Sequence, residues 1–216
     1  MVKVKENHGW IKAILSRKIV IAGLMVILVF GICVATYGGA VMYIKNYGIT
    51  LKPSRAIEPL DVKIFLQNDD QWGEDYMGES KFKMRGYGCL VSVLASASKY
   101  HGIQTDPGKL NKIFTQKGVY TNSGEVIWYK IKDALGTIDY KYGRIFDRGR
   151  IENDLKKGLL PIVMVKYHGT GIHHWVLIVG ANDDFLIVDP LSKEIIPLST
   201  HGRVYAYRVL TPQEDD

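Results

Sequence analysis

Three side chains in this sequence have the types needed for nucleophilic catalysis: the thiol of Cys89, the imidazole of His174 and the carboxylate of Asp189. Cys89 opens a run of small and aliphatic residues that ends at Gly102, which predicts a helix with the cysteine in its first turn. The positive end of a helix dipole and its unpaired N–H groups favour a thiolate. His174 begins one apolar run and Asp189 ends the next. A small buried thiol is the commoner role of a lone cysteine, but this chain order indicates a Cys-His-Asp set.

The elements that must position these residues change in type along the chain. Helical patterns dominate the first part: one from Asp106-Pro107 to about Gln116, one that Ser123 caps and Gly136 ends, and a short one over 150–157. Strands are predicted at 61–67, 138–142, 161–167, 174–180, 185–189 and 203–210. Helices first and most strands last predict an α+β domain, with the Cys89 helix packed on a mainly antiparallel sheet.

An uncharged apolar run precedes this domain. It extends for 26 residues from Ile19 to Ile44, which exceeds the roughly 20 residues needed to cross a bilayer. The apolar region of a secretory signal is shorter, at about 7 to 15 residues. We therefore expect a transmembrane helix that makes the lipid bilayer one partner of the protein. The predicted organisation is a basic tail over 1–18, the transmembrane helix over 19–44, a linker over 45–60 and the domain over 61–211.

Basic residues are concentrated at the start of the chain. Residues 1–50 contain six Lys or Arg and one Glu, whereas residues 51–216 contain 22 basic and 21 acidic residues. The positive-inside rule then places the N-terminus in the cytoplasm and the domain outside, in a single-pass membrane protein. The balanced charge of the domain argues against nucleic-acid binding. Because Cys33 falls in the apolar run, Cys89 is the one cysteine of the exported domain and a candidate reactive thiol.

Residues 61–190 resemble the papain-like cysteine peptidases that process bacteriocin leaders at a double glycine. The resemblance is closer to their single-domain exported relatives than to versions fused to transporters. The residues that carry it are Gln67 in Leu-Gln-Asn-Asp-Asp-Gln-Trp, the Gly88-Cys89 helix start, Gly158-Leu-Leu-Pro161, His174-Trp-Val and Val188-Asp189-Pro190. The resemblance implies a papain-like fold and a membrane-anchored bacterial hydrolase that cleaves peptides or proteins outside the cell, at small residues such as Gly-Gly, without a cofactor.

The resemblance also implies the role of each site residue. Cys89 is expected to be the nucleophile, His174 the general base and acid, and Asp189 the group that orients His174. Gln67 is expected to donate to the oxyanion together with the Cys89 backbone N–H, and Gln71 is the alternative donor. His174 matches the His-aromatic-Val pattern of the family, and its neighbour His173 should face the other way in a strand.

The sequence departs from the family pattern directly after the cysteine. Leu90 and Val91 stand before Ser92, where a small residue and then a hydroxyl are usual. A bulkier Leu90 is expected to narrow the site. Two other functions stay open: hydrolysis of cell-wall peptides or amides by the same triad, and capture of a peptide by a non-catalytic module. A metal site at His173, His174 and Asp189 is the weakest alternative, because it lacks a second sequence-close pair of ligands.

Overall fold

A computed structural model describes residues 7–136, 138–143 and 146–212. The chain divides into two compact units, Met1–Tyr43 and Ile44–Asp216. Helix α1 spans Asn7–Tyr47, and its 31-residue part Arg17–Tyr47 is long and apolar enough to cross a membrane. Such a helix is compatible with a single-pass anchor or with a signal sequence. The first part of the predicted basic tail, residues 1–6, lies outside the described residues.

The second unit is built on a six-stranded sheet in which all neighbouring strands are antiparallel. The spatial order of the strands is β1-β6-β2-β3-β4-β5. Their bounds are β1 Ile138–Gly143, β2 Pro161–Lys166, β3 His173–Ala181, β4 Phe185–Val188, β5 Ile195–Pro197 and β6 Val204–Pro212. The two central strands β2 and β3 pair from Ile162 opposite Leu177 to Lys166 opposite His173. His174 lies on β3, and Asp189 directly follows the neighbouring strand β4.

Helices precede or interrupt the strands. They are α2 Met84–Tyr87, α3 Cys89–Tyr100, α4 Pro107–Gln116, α5 Ile131–Leu135 and α6 Arg148–Lys156, with short 3-10 turns at Trp128–Lys130, Tyr167–Gly169 and Leu198–Thr200. The Asp106 side chain accepts the Lys109 N–H at the start of α4 and leaves Pro107 in the first helical position. Gly102 follows α3 with a φ of +91°, the left-handed conformation expected of a residue that ends a helix.

Two hydrophobic clusters cover the two faces of the sheet. Because side chains alternate along a strand, Leu177 and Val179 of β3 lie in the cluster that contains α3. Val176 and Ile178 lie in the opposite cluster, which contains the buried apolar residues of α6. Among helix–sheet pairs, α3 packs most extensively against β3. The predicted fold class is thereby confirmed as an α+β domain with the cysteine helix packed on an antiparallel sheet.

The strand predicted at 61–67 is wrong. β2 pairs with β3 only as far as Leu177, and the incoming chain contacts the remaining end of β3 through isolated contacts, Ile57 with Ala181 and the Leu60 N–H with the Val179 carbonyl. Gly180 permits this crossing, because a Cβ there would lie 2.7 Å from the Pro59 Cα. Residues 61–66 then continue without a ladder.

The helix predicted to begin at Ser123 starts later. The Gly124 N–H donates to the Thr121 carbonyl and Tyr120 bridges to Val126, so Ser123 lies in a hairpin turn. Gly124 has a φ of +75°, which suits this turn. Helical structure begins with the 3-10 turn at Trp128. The short strand β5, Ile195–Pro197, was not predicted, since three residues leave little period to detect.

The segment predicted as a linker, 45–60, packs along the second unit. Leu51 is buried, and Ile49 bridges to Val204 of β6. Ser54 donates from both its backbone N–H and its hydroxyl to the buried carboxylate of Glu152 on α6. These contacts make the segment part of the folded body.

Candidate active site

Cys89 is the first residue of α3 and is half-buried. Gly88 precedes it as the N-cap, and its carbonyl accepts the Ser92 N–H. The N–H groups of the first turn, including that of Cys89, have no intrahelical acceptor. A Cβ at Gly88 would lie 2.6 Å from the Met84 carbonyl oxygen, so glycine is required where α2 meets α3. The turn thus places a thiol beside several free donors.

His174 connects the thiol to a carboxylate. Its Nε2 lies 2.7 Å from Asp189 Oδ1, which leaves Nδ1 as the nitrogen available to the Cys89 thiol. Burial alone lowers the pKa of His174. The hydrogen bond to Asp189 and the interaction with Cys89 outweigh that effect and raise the pKa to about 9. The ring is therefore poised to hold a proton at neutral pH.

Asp189 follows β4 directly and is buried. Its Oδ1 accepts the Leu191 N–H at 2.8 Å in addition to the His174 bond. Burial alone raises the pKa of Asp189, but the bonds from His174 and His201 outweigh it and hold the pKa well below its usual range. The carboxylate consequently stays ionised opposite the His174 ring.

His201 is a site residue that the sequence interpretation missed. Its Nε2 lies 3.0 Å from Asp189 Oδ2, and its Nδ1 accepts the His168 N–H at 3.1 Å. The Tyr167 ring packs against both histidines, with its centroid 5.4 Å from that of His174 and 5.6 Å from that of His201. No motif marks His201, because it follows a 3-10 turn 12 residues after Asp189. Only its residue type could have drawn attention to it.

The two glutamine candidates have different surroundings. Gln67 is buried, and its Nε2 donates to the Arg85 carbonyl at 2.8 Å, four residues before Cys89. Its Oε1 has no hydrogen-bond partner among the described residues. Gln71 is exposed and donates to the Asp69 carboxylate at 3.2 Å. The structure therefore ties Gln67, and not Gln71, to the segment that leads into the cysteine helix.

The two adjacent histidines, His173 and His174, differ in burial and surroundings. His174 is buried and bonded within the site, whereas His173 is exposed and lines a cavity next to Cys89. The metal site considered at His173, His174 and Asp189 does not form, since His201 takes the third position. Among the described residues, His174, Asp189 and His201 place one ligand atom each within 4.8 Å of one another. A metal there would have to displace both histidine–carboxylate hydrogen bonds.

The geometry suits acyl transfer. A thiol at a helix start, an imidazole beside it and a buried carboxylate bonded to the imidazole are the groups that can act as a nucleophile, a proton carrier and an orienting group. Leu90, which departs from the family pattern, is buried and forms part of the wall of the cavity beside Cys89.

No family model matches the chain, and no curated protein sequence matches it. Among solved structures, it is similar to a protein from Bacillus anthracis that is provisionally assigned as a C39-like peptidase. That similarity has a TM-score of 0.46 and 16% sequence identity, over 72% of this chain and 100% of that chain. A similarity of this degree leaves the activity to be inferred from the site itself.

Proposed function

We propose that the protein is a membrane-anchored cysteine peptidase whose nucleophile is Cys89. The observation that carries the proposal is the interaction of His174 with two groups, the Asp189 carboxylate at 2.7 Å and the Cys89 thiol at the N-terminus of α3. A thiolate in this arrangement attacks an acyl carbon, and the proposed acyl compound is the peptide bond of a peptide or protein.

The reaction proceeds by two acyl transfers. The Cys89 thiolate attacks the carbonyl carbon of the scissile bond, and the electron pair of that carbonyl moves onto its oxygen. As the intermediate collapses, the imidazolium of His174 gives its proton to the departing amine, and a thioester remains on Cys89. Water then attacks the thioester, with His174 taking its proton, and the carboxylic acid product leaves as the thiol is restored.

Two donors are assigned to the oxyanion. One is the Cys89 backbone N–H, which belongs to the free first turn of α3. The other is the Gln67 side-chain amide. Its nitrogen carries two hydrogens, and the bond to the Arg85 carbonyl uses one of them. That bond also fixes the amide plane, so that the second hydrogen is preorganised for the developing charge.

The function is tested by labelling with an epoxide thiol probe and by hydrolysis of a peptide library. The wild-type protein should react at Cys89 and cleave peptides, and His174→Ala should lose cleavage and label more slowly at neutral pH. His173→Ala is the matched control and should retain labelling. Labelling that is indifferent to His174, with no cleavage, would contradict the proposal and favour a peptide-binding module.

The proposed location is outside the cell, with α1 as the anchor. The support is the length and apolar character of Arg17–Tyr47 and the excess of basic residues before it. A reporter fused after residue 60 should be active only on the external side of the membrane. A cytoplasmic reporter would reverse the proposed topology.

A further inference from the structure

A half-open cavity of about 390 Å³ adjoins Cys89. Its volume falls within the range of pockets that enclose small ligands. The apolar part of its wall includes Leu90, Val126, Trp128, Met164 and Trp175. Cys89, the proposed nucleophile, also lines the cavity, so a group that binds in the cavity lies next to the reacting bond.

The walls of the cavity are apolar and aromatic. Trp128 and Trp175 contact each other with ring centroids 5.4 Å apart, and Met164 lies opposite Trp175 in the β2–β3 ladder. Leu90 and Val126 are buried. The charged side chain that lines the cavity, Glu125, is exposed. The buried part of the wall therefore matches an apolar group and not a charged one.

We propose that this cavity is a subsite for a bulky apolar side chain, such as Leu, Met, Phe or Tyr, within two residues of the scissile bond. The proposal rests on the proposed peptidase function and names its substrate class. A glycine would leave the cavity unfilled, and each methylene placed in a hydrophobic pocket changes discrimination by roughly 10- to 200-fold. Cleavage after a double glycine, which the family resemblance implies, does not use this cavity.

The cavity is tested first without relying on catalysis. N-methyl and N-(2-phenylethyl) chloroacetamide carry the same electrophile and differ in their apolar group. Alkylation of Cys89 should be at least about tenfold faster with the phenylethyl reagent, after correction for the rates of both reagents with glutathione. Met164→Trp fills the cavity and should abolish that preference. Ile195→Trp, on the exposed edge strand β5, is the matched control.

A second variant guards against misfolding of Met164→Trp. Ser123 is exposed and also lines the cavity, so Ser123→Trp should reduce the preference from the rim without disturbing the core. Equal corrected rates for the two reagents in the wild-type protein would overturn the subsite.

Peptide-library cleavage then identifies the substrate residue. One position within two residues of the cut should be enriched at least about tenfold in Leu, Met, Phe or Tyr over Gly, and Met164→Trp should remove the enrichment. If no position within two residues of the cut favours Leu, Met, Phe or Tyr over Gly, the proposed subsite is wrong, and the peptidase function still stands. Absence of cleavage, with the reagents still discriminated, would contradict the peptidase function and support the apolar subsite.

A second inference comes from a separate observation, the two-sided hydrogen bonding of His201. Its Nδ1 accepts the His168 N–H, so the proton of the neutral ring must be on Nε2, which faces Asp189 Oδ2. His168 has a left-handed backbone, with a φ of 45° and a ψ of 36°. Such a conformation is uncommon for a residue other than glycine and is frequent at functional sites.

We infer that His201 is a positioning residue that orients Asp189 for His174. Without His201, the buried Oδ2 would lose its partner, and the carboxylate could rotate away from the His174 ring. His201 contacts neither the thiol nor the reacting carbonyl in this arrangement, so its effect must pass through Asp189.

The tautomer of His201 is measurable in the wild-type protein by nitrogen NMR. The structure requires a proton on Nε2 and none on Nδ1 near neutral pH. His201→Leu removes the donor and should make His174 release its proton at lower pH, whereas His201→Gln retains an N–H and should keep the wild-type titration. A proton on Nδ1 of His201, or a His174 titration that is identical in all three proteins, would overturn the inference. Neither readout depends on peptidase activity.

Discussion

The side-chain amide of Gln67 donates to the Arg85 carbonyl across 2.8 Å, four residues before Cys89. This bond holds the amide beside the cysteine turn through a residue 22 positions earlier in the chain. Gln67 itself is held from the other side, because its backbone N–H donates to the Pro190 carbonyl next to Asp189. One glutamine therefore joins the segment before the nucleophile to the segment after the carboxylate.

Replacing Gln67 tests the oxyanion assignment. Gln67→Ala should slow peptide hydrolysis by about 10²-fold or more, the usual loss when one oxyanion donor is removed. It should leave alkylation of Cys89 nearly unchanged, since alkylation forms no oxyanion. Gln71→Ala is the matched control and should hydrolyse at the wild-type rate. A larger loss in Gln71→Ala than in Gln67→Ala would transfer the role to Gln71.

Asp189→Asn separates ring orientation from thiolate formation. The carboxylate accepts hydrogen bonds from two histidines and the Leu191 N–H, and an amide cannot accept on both sides. Hydrolysis should fall by roughly 10²- to 10⁴-fold, as for other triads that lose this carboxylate, while alkylation falls less. Rates of both reactions on the same preparation provide the comparison. Equal losses in the two would mean that Asp189 acts on the thiol and not on the ring.

The stability of the folded protein should depend on pH through His174. Its pKa rises from 6.5 to about 9 on folding, so the folded state binds this proton more tightly than the unfolded state does. The stabilisation that His174 provides is therefore complete below pH 6.5 and is lost as pH rises toward 9. The difference in unfolding free energy between wild type and His174→Ala should shrink over that interval in urea titrations. A difference that grows with pH would contradict the raised pKa.

The segment 45–60 should be needed for stability. Burial of Leu51 alone contributes roughly 1.5 to 3 kcal/mol, and removal of Ser54 strips donors from the buried Glu152 carboxylate. A fragment that begins at residue 61 should unfold at a lower urea concentration than one that begins at residue 44. Equal unfolding midpoints would show that the segment is a dispensable linker.

Much of the fold follows from local sequence. The α3 and α4 boundaries were predictable because Gly102 and Asp106-Pro107 act within a few residues of the helix ends. The strand expected at 61–67 does not form, because the incoming chain contacts β3 earlier, at Ile57 and Leu60, and residues 61–66 lie in no ladder. Alternation of side chains could not reveal where the chain meets the sheet.

Some residues of the candidate site could likewise be predicted from local sequence, and others could not. Cys89, His174 and Asp189 could be proposed because each stands at the start or end of a recognisable element. His201 could not, since its contact with Asp189 exists only once β5 and the turn after it have folded back toward β4. The apolar cavity was also out of reach, because its walls come from α3, the 123–128 segment and two strands.

The central claim is that His174 controls the thiol of Cys89, and alkylation by iodoacetamide from pH 4 to 9 tests it most directly. Cys33→Ser provides the background, so that Cys89 is the only cysteine present. Alkylation of Cys89 at neutral pH should be faster in the wild-type protein than in His174→Ala, because a protonated ring beside the thiol favours the reactive thiolate. His173→Ala should leave the profile nearly unchanged. A profile that resembles a free thiol and does not respond to His174→Ala would contradict the account.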